Sequence, residues 1–423
     1  MAGASQLTIR GGPRAVQTDP GDIFTWPIIT EEDEVAVLEV LRAGRMSETD
    51  VTEEFERELA EWHGVKYALC HNTGTAALHA AMWACGVGVG DEIISPSLTY
   101  WASCLPAFSL GATIVFADVC ADSITIDPAD IEHRITDRTK AIIAVHYAGY
   151  PCDMDPLVDI AARHGLKVIE DVSHAHGGLY KGRLVGTIGD VGAMSIMSGK
   201  ALPCGEGGFL VTRDRRLWER AVAFGHYERT GRLEDPELKP FAGLPWGGHK
   251  YRMHQLSSAV GRVQLRHYRA RMEEIQRAMD CFWDLLEGVP GVRAHRPAKG
   301  SGSTMGGWYA PHGLYRGEEL NGLSIHRFCE AVRAEGVSTS PGANMALHLH
   351  PLLNEADIYG HGRPTRVANS ARDVREGPGR LPVTESMPER CYWIPWFKHY
   401  RPAVIEEHGL AFRKVAEHAS ELL

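Results

Sequence analysis

No stretch of this 423-residue chain pairs its cysteines, gathers its basic residues or stays apolar for the length of a membrane span. Each absence removes a class of function. The nine cysteines, at 70, 85, 104, 120, 152, 204, 281, 329 and 391, make no CxxC pair and no Cys/His cluster with zinc spacing. Reduced, mostly buried thiols are therefore expected, and no structural metal. Lys and Arg total 44 against 54 Asp and Glu, a formal charge of -10, with no basic stripe. Nucleic acid and membrane partners are accordingly not expected. The longest apolar runs fall short of the roughly 18 residues of a membrane span, and MAGASQLTIRGG has no apolar signal core. The expectation is a cytoplasmic protein. Internal repeats and low-complexity segments are lacking as well.

What is present is an alternation. Thr30-Glu31-Glu32-Asp33 reads as a capping-box start for a helix that runs to Gly44. GTAALHAAMWACG reads as a helix, DEIISPS as a strand, YWASCLPAFSLG as a helix and TIVFADV as a strand. DPADIEHRI, KAIIAVHYAG, MDPLVDIAARHG and KVIEDVS continue the rhythm, and FLVTRD adds a strand. Strands alternating with helices predict a mainly parallel sheet covered on both faces, with ligands at the carboxyl ends of its strands. Beyond a polar segment around Phe241 to Gly248, a long helix is expected from near His254. The C-terminal part mixes helices such as SIHRFCEAVRAEG with Pro- and Gly-rich loops, including Gly360 to Pro382. The expected organisation is an N-terminal arm (1–30), a large α/β domain (31–275) and a smaller α+β domain (276–423), with the boundary inside the long helix.

The strand ends hold the candidate chemistry. KVIED places Glu170 and Asp171 at the end of an apolar strand, where a buried carboxylate needs a cation or hydrogen-bond donors. A helix cap or an internal salt bridge would satisfy Asp171 equally well. MSIMSGKALPCGEGG sets Lys200 between an apolar run and a glycine-rich turn. A buried lysine sheds its charge readily and suits imine chemistry with an aldehyde, whereas a solvated lysine does nothing. In HNTGTAALHAA, Gly74 and Thr75 open a helix whose free N–H groups suit an anion, or simply form a cap. Ser195 adds a hydroxyl one strand over. An acid for a protonated ring nitrogen, a lysine for a Schiff base and a helix terminus for a phosphate together match what pyridoxal phosphate (PLP) requires of a protein.

The motifs HNTGTAAL, EDVSHAHGGLYKGRLVGTIGD, SIMSGKALPCGEGGFLVT and YRMHQLSSAVGRVQL resemble, in order and spacing, those of the DegT/StrS-type aminotransferases of keto-sugars and keto-cyclitols. The resemblance runs from about Ile28 to Leu265 and more loosely beyond. It implies the fold type I PLP aminotransferase architecture, a homodimer with two shared sites, and PLP as the cofactor. Carried over residue by residue, it makes Lys200 the Schiff-base lysine and Asp171 the partner of the pyridine nitrogen. Tyr100 takes the place of a ring stacked on the cofactor, and His174 that of a contact to its phenolic oxygen. Gly74, Thr75 and Ser195 map onto phosphate contacts. His176, two residues from His174, points to the opposite side of an extended segment, so one of the two is expected to be structural. Glu206 and the glycines of GEGG are expected to form only a turn.

In GHKYRM, Lys250 stands where many relatives have Asn reaching the neighbouring subunit's phosphate. Relatives that dehydrate sugars carry His in place of the Schiff-base Lys, so Lys200 implies transamination. LTIRGGPRAV, LHLHPLLNEADIYGHGRPTR and IPWFK are similar to the inosose-type cyclitol branch, which implies L-glutamine as donor and a route to aminoglycoside-like metabolites. His348 and His350 are candidates to touch a polyhydroxylated acceptor, or to serve a domain interface. The alternatives are an enzyme making an aminated aromatic or shikimate-like precursor, and a non-catalytic PLP-binding regulator.

Overall fold

A computed structural model describes residues 6–423; residues 1–5 of the N-terminal arm lie outside the described residues. The main sheet has seven strands, all but one running in the same direction. They are β1 (Tyr67–His71), β2 (Glu92–Pro96), β3 (Thr113–Ala117), β4 (Thr139–Val145), β5 (Lys167–Asp171), β6 (Val191–Ser195) and β7 (Gly208–Thr212). Their order is β1-β7-β6-β5-β4-β2-β3. β7 runs antiparallel to its neighbours β1 and β6, and the remaining pairs are parallel. The strands are apolar at nearly every position because both faces are covered. Ile93, Ile143 and Ile169 join the cluster on one face, and their neighbours Ile94, Ile142 and Val168 the cluster on the other.

The helices on these faces follow from local signals. α1 (Glu31–Ala43) starts in a capping box, with Asp33 accepting from the Thr30 N–H at 2.9 Å. α2 (Asp50–His63) ends at the left-handed Gly64. α3 (Gly74–Ala84) is built of small residues and is buried at Ala76, Ala77, Ala80 and Ala81, so its backbone lies close to the sheet. α4 (Met154–His164) and α5 (Arg215–Gly225) complete the layers.

One sequence expectation fails. The segment YWASCLPAFSLG forms two 3₁₀ helices, Trp101–Ser103 and Leu105–Leu110, instead of one α-helix. Pro106 has no N–H to give the Ala102 carbonyl, so a continuous α-helix loses a bond there; the chain breaks at Cys104 (φ -133°) and restarts at Leu105, with Pro106 in the first turn.

α6 (Gln255–Leu285) spans two cores. Its Leu265, Tyr268 and Met272 pack under the main sheet, and its Ile275, Phe282 and Trp283 join a third cluster. That cluster surrounds a second, antiparallel sheet of β8 (Val292–Ala294), β9 (His312–Tyr315), β10 (Ser340–Pro341) and β11 (Cys391–Trp393), ordered β8-β9-β11-β10. α7 (Ile325–Ala334) and α8 (Pro402–Glu417) cover it, and Leu7 and Ile23 of the N-terminal segment are buried in the same cluster.

The loop between Pro351–Asn354 and Pro382–Ser386 lies along edge strand β3. Buried Arg366 donates to the carbonyls of Ile114 and Val374 and pairs with Glu376, and Glu376 in turn accepts from the Phe116 N–H. The edge is thus covered, as an unpaired strand in a large sheet needs to be. All nine cysteines are free thiols. Among the described residues no group of three or more His, Cys, Asp or Glu is placed to hold a metal, and no helix is long and apolar enough to cross a membrane.

Candidate active site

β5 ends on the carboxylate pair, and pleating sends the two side chains to opposite faces. Glu170 accepts from His146 Nε2 at 3.0 Å and from the N–H groups of Gly186, Ile188 and Gly189, so it is consumed in fastening the loop before β6. These donors hold its carboxyl below the usual range against the opposing effect of burial. Asp171 pairs in register with Ala193 of β6 and lies only 5% exposed. Its Oδ1 accepts from the Ser173 N–H at 3.0 Å and its Oδ2 from Ser103 Oγ at 2.7 Å. Each oxygen keeps a lone pair for a further donor.

Lys200 follows β6, in the loop that returns through the left-handed Gly205 into β7. The Ser198 N–H donates to the Gly205 carbonyl at 2.8 Å, so the GEGG turn is structural. Lys200 is 8% exposed, and burial pushes its amine down to about 8, with Asp171 pulling the other way. Its Nζ sits 4.0 Å from the centre of the Tyr309 ring and joins no ion pair among the described residues. Its carbonyl accepts from Trp26 Nε1 at 2.8 Å.

Beside this pair, β1 passes through Asn72 and Thr73 into α3. Thr73 Oγ1 caps the Ala76 N–H at 3.0 Å, which leaves the N–H groups of Gly74 and Thr75 without an acceptor among the described residues. A Cβ on Gly74 would come within 2.5 Å of Ser195 Cβ. Only glycine allows the helix start to approach the end of β6 so closely, and that approach gathers two free N–H groups, the positive end of a helix and a hydroxyl. The donor set fits a phosphate. A buried lysine that gives up its proton near neutral pH and a buried carboxylate with free lone pairs fit the aldehyde and the pyridinium of PLP.

The other expected residues are distributed as follows. Tyr100 is 49% exposed just past β2, its ring 5.0 Å from that of Trp101. His174 Nδ1 accepts from the Ala148 N–H, and its ring lies 4.9 Å from Tyr309 and 5.6 Å from Tyr147. Burial and the nearby Lys200 hold this imidazole neutral, well below its ordinary range. His176 is buried, neither ring nitrogen has a partner among the described residues, and burial holds it down to about 3.

Lys250 is exposed. Its neighbour Tyr251 accepts from the Asn72 N–H at 2.7 Å and bonds His79 through its hydroxyl, so the GHKYRM segment lies beside the start of α3. His348 is fully buried, with Nδ1 bonded to Ser97 Oγ at 2.7 Å and Nε2 to Glu385 at 3.2 Å. His350 Nδ1 accepts from the Leu352 N–H. Both histidines therefore fasten the loop after β10, and His348 has no free nitrogen to turn to a substrate. Sequence reasoning missed Ser103, Trp26 and Tyr309. The T-x-x-x-S spacing of Thr99 and Ser103, whose hydroxyls bond at 2.9 Å, is a local signal for the first, and nothing local announces the other two.

Residues 27–407 match the DegT/DnrJ/EryC1/StrS aminotransferase family. The chain belongs to that family. It is 37% identical over 347 residues to a GDP-perosamine synthase of Escherichia coli O157:H7, covering 80% of this chain and 92% of that protein. A putative L-glutamine:3-amino-2,3-dideoxy-scyllo-inosose aminotransferase of Micromonospora echinospora is 34% identical, with 78% of each chain covered. Among solved structures, an aminotransferase from Psychrobacter cryohalolentis superposes with a TM-score of 0.80 at 28% identity, over 94% of this chain and 99% of that one. A 3-amino-5-hydroxybenzoic acid synthase gives 0.75 at 27%, over 94% and 98%. This DegT/StrS-type enzyme is thus a PLP-dependent aminotransferase of a sugar and cyclitol aminotransferase family.

Proposed function

We propose that this aminotransferase transfers the amino group of L-glutamine to a keto-cyclitol or keto-sugar, in the biosynthesis of an aminoglycoside-like secondary metabolite. The observation that carries the chemistry is the buried Lys200 amine beside the buried Asp171 carboxylate, over the free N–H groups of α3. The likeness to the inosose-type relative supports the cyclitol reading and the donor. The likeness to the 3-amino-5-hydroxybenzoic acid synthase keeps an aminated aromatic precursor as the second reading.

PLP supplies an aldehyde that takes up the amino group and a ring that accepts electrons from the reacting carbon. Lys200 would hold the cofactor covalently, its Nζ condensing with the aldehyde and releasing water. Its freed Nζ takes the α-proton of the donor, and in the second half-reaction delivers a proton to the carbon that receives the new amine. Asp171 holds the proton on the ring nitrogen, while Ser103 and the Ser173 N–H keep that carboxylate in place. Gly74, Thr75 and Ser195 bind the phosphate. His174, kept neutral, would donate to the phenolic oxygen, and the exposed Tyr100 would lie against the cofactor ring. The enzyme acts as a cytoplasmic homodimer with shared sites, in which Lys250 reaches the partner subunit's phosphate. Residues 31–275 form the large domain and 276–423 the small one, joined within α6.

Incubating the purified enzyme with L-glutamine and a panel of keto-cyclitols, nucleotide-linked keto-sugars and keto-shikimates, with mass-spectrometric detection of amines, tests this reading. A keto-cyclitol converted fastest is the expected result. Conversion of nucleotide-linked sugars alone overturns the cyclitol branch, and conversion of keto-shikimates alone installs the second reading.

A further inference from the structure

We propose that Tyr309 is a positioning residue whose ring face seats the Lys200 amine whenever that amine is free of the cofactor. This rests on Lys200 being the cofactor-bonding lysine. Nζ stands 4.0 Å from the ring centre, and among the described residues no carboxylate lies within ion-pair distance of it. A buried ammonium needs compensation, and the negative face of an aromatic ring provides it. The groups facing Lys200 are Asp171 from β5, His174 and His176 from the loop after it, and Tyr309, which has Tyr100 as a neighbour. Both imidazoles are neutral, so Asp171 and the Tyr309 ring are what favour the charged amine.

The ring is presented by an unusual backbone. Trp308 and Ala310 on either side of it have φ of 56° and 55°, the left-handed region that non-glycine residues enter only under tertiary constraint. Trp396 packs edge-on against the Tyr309 ring at 5.8 Å and 89°, and its Nε1 donates to the Gly307 carbonyl at 3.1 Å. A second ring neighbour is His174 at 4.9 Å. Strain at both flanks, an indole brace and an imidazole together hold one ring face towards one amine. Seated there, Nζ stays within the crevice between the two proton transfers and does not swing to solvent.

The test compares Tyr309→Phe, which keeps the face, with Tyr309→Leu, which removes it. In the full-length chain freed of cofactor, the Lys200 titration is read from the pH dependence of its reductive methylation, quantified on the Lys200 peptide. The wild-type midpoint is expected at about 8. Tyr309→Phe should match it, and Tyr309→Leu should lower it by about one pH unit, the size expected for a partly desolvated cation–π contact. In the loaded enzyme kcat should fall about tenfold for Tyr309→Leu, with KM for the donor little changed and Tyr309→Phe close to wild type. Tyr309→Met stands in if the Leu variant does not fold. An unshifted titration in the Leu or Met variant, or a Phe variant that behaves like Leu, overturns the proposal. Borohydride trapping separates the two levels: cofactor fixed to another lysine overturns the Lys200 reading itself, whereas cofactor on Lys200 with an unshifted titration overturns only the role of Tyr309.

Discussion

Lys200 stands between two walls of different construction. On the sheet side are Asp171, Ser195 and Gly74, each within one residue of the end of a strand or the start of a helix. Their spacing follows from the register of β5 and β6, in which Asp171 faces Ala193, and from one close approach that only glycine permits. On the far side are Trp26, Tyr309 and Trp396, which come from three loops spread over most of the chain. These are held by indole hydrogen bonds and left-handed backbone, not by a ladder. The sheet wall supplies charge and hydrogen bonds, and the loop wall supplies rings and dryness. Burial between the two walls pushes the lysine towards the neutral amine, and the Asp171 carboxylate of the sheet wall pulls the other way.

Substitutions that strike one wall at a time sharpen this contrast. The largest loss is expected where both walls converge: Lys200→Ala should lower turnover by at least about a thousandfold, since it removes the group proposed to transfer the protons. Its circular dichroism should show an intact fold, and retained turnover would overturn the assignment. Next comes a change remote from both walls. Arg366→Met strips a buried ion pair from the loop over β3, and urea unfolding should reveal a loss of about 3 kcal/mol or more, with kcat of the folded fraction unchanged.

Asp171→Asn keeps the size of the sheet-wall acid but removes its charge. A fall in kcat of about a hundredfold is expected, with cofactor still bound as judged by absorbance after gel filtration. Near-normal rates would mean that another group protonates the ring.

The cost of burying the amine itself gives a pH-dependent test. The folded chain holds the Lys200 amine at about 8 and the unfolded chain at 10.5. Between those values the unfolded state binds more protons, so the penalty of the buried charge is full below pH 8 and fades as pH rises to 10.5. Cofactor-free Lys200→Met should therefore be more stable than wild type at neutral pH, by up to about 3 kcal/mol, with the gap closing across that window. The smallest effect is expected from Gly74→Ala. The new Cβ meets the Ser195 backbone, so the helix start must retreat slightly from the end of β6. Overpacking of about 1–2 kcal/mol should appear as roughly tenfold weaker PLP binding in a fluorescence titration, with the loop wall untouched.

Much of the sheet wall is legible in the amino-acid sequence. KVIED, VGAMS and HNTGTAAL mark element ends by a change of period, and ligand-facing side chains in an alternating α/β chain collect at those ends. Local reasoning fails where another part of the chain intervenes. His348, a candidate for substrate contact, is buried because Ser97 at the end of β2 and Glu385 of a later helix take up both its nitrogens. The helix expected over YWASCLPAFSLG is divided at Cys104, two residues before Pro106, and Ser103 at the end of the first piece bonds Asp171.

The sequence by itself determined most of the order of strands and helices, the acid at one strand end, the lysine in the loop after another strand and the glycine that opens α3, because periodicity, capping and glycine's lack of a Cβ act over a few residues. Only the tertiary structure decided what faces the lysine. Tyr309 is 109 residues from Lys200 and Trp26 is 174 away, and neither can be predicted from its neighbours. Their placement depends on how the third cluster docks against the carboxyl edge of the sheet, and a docking energy summed over many distant contacts leaves no mark in any one local pattern.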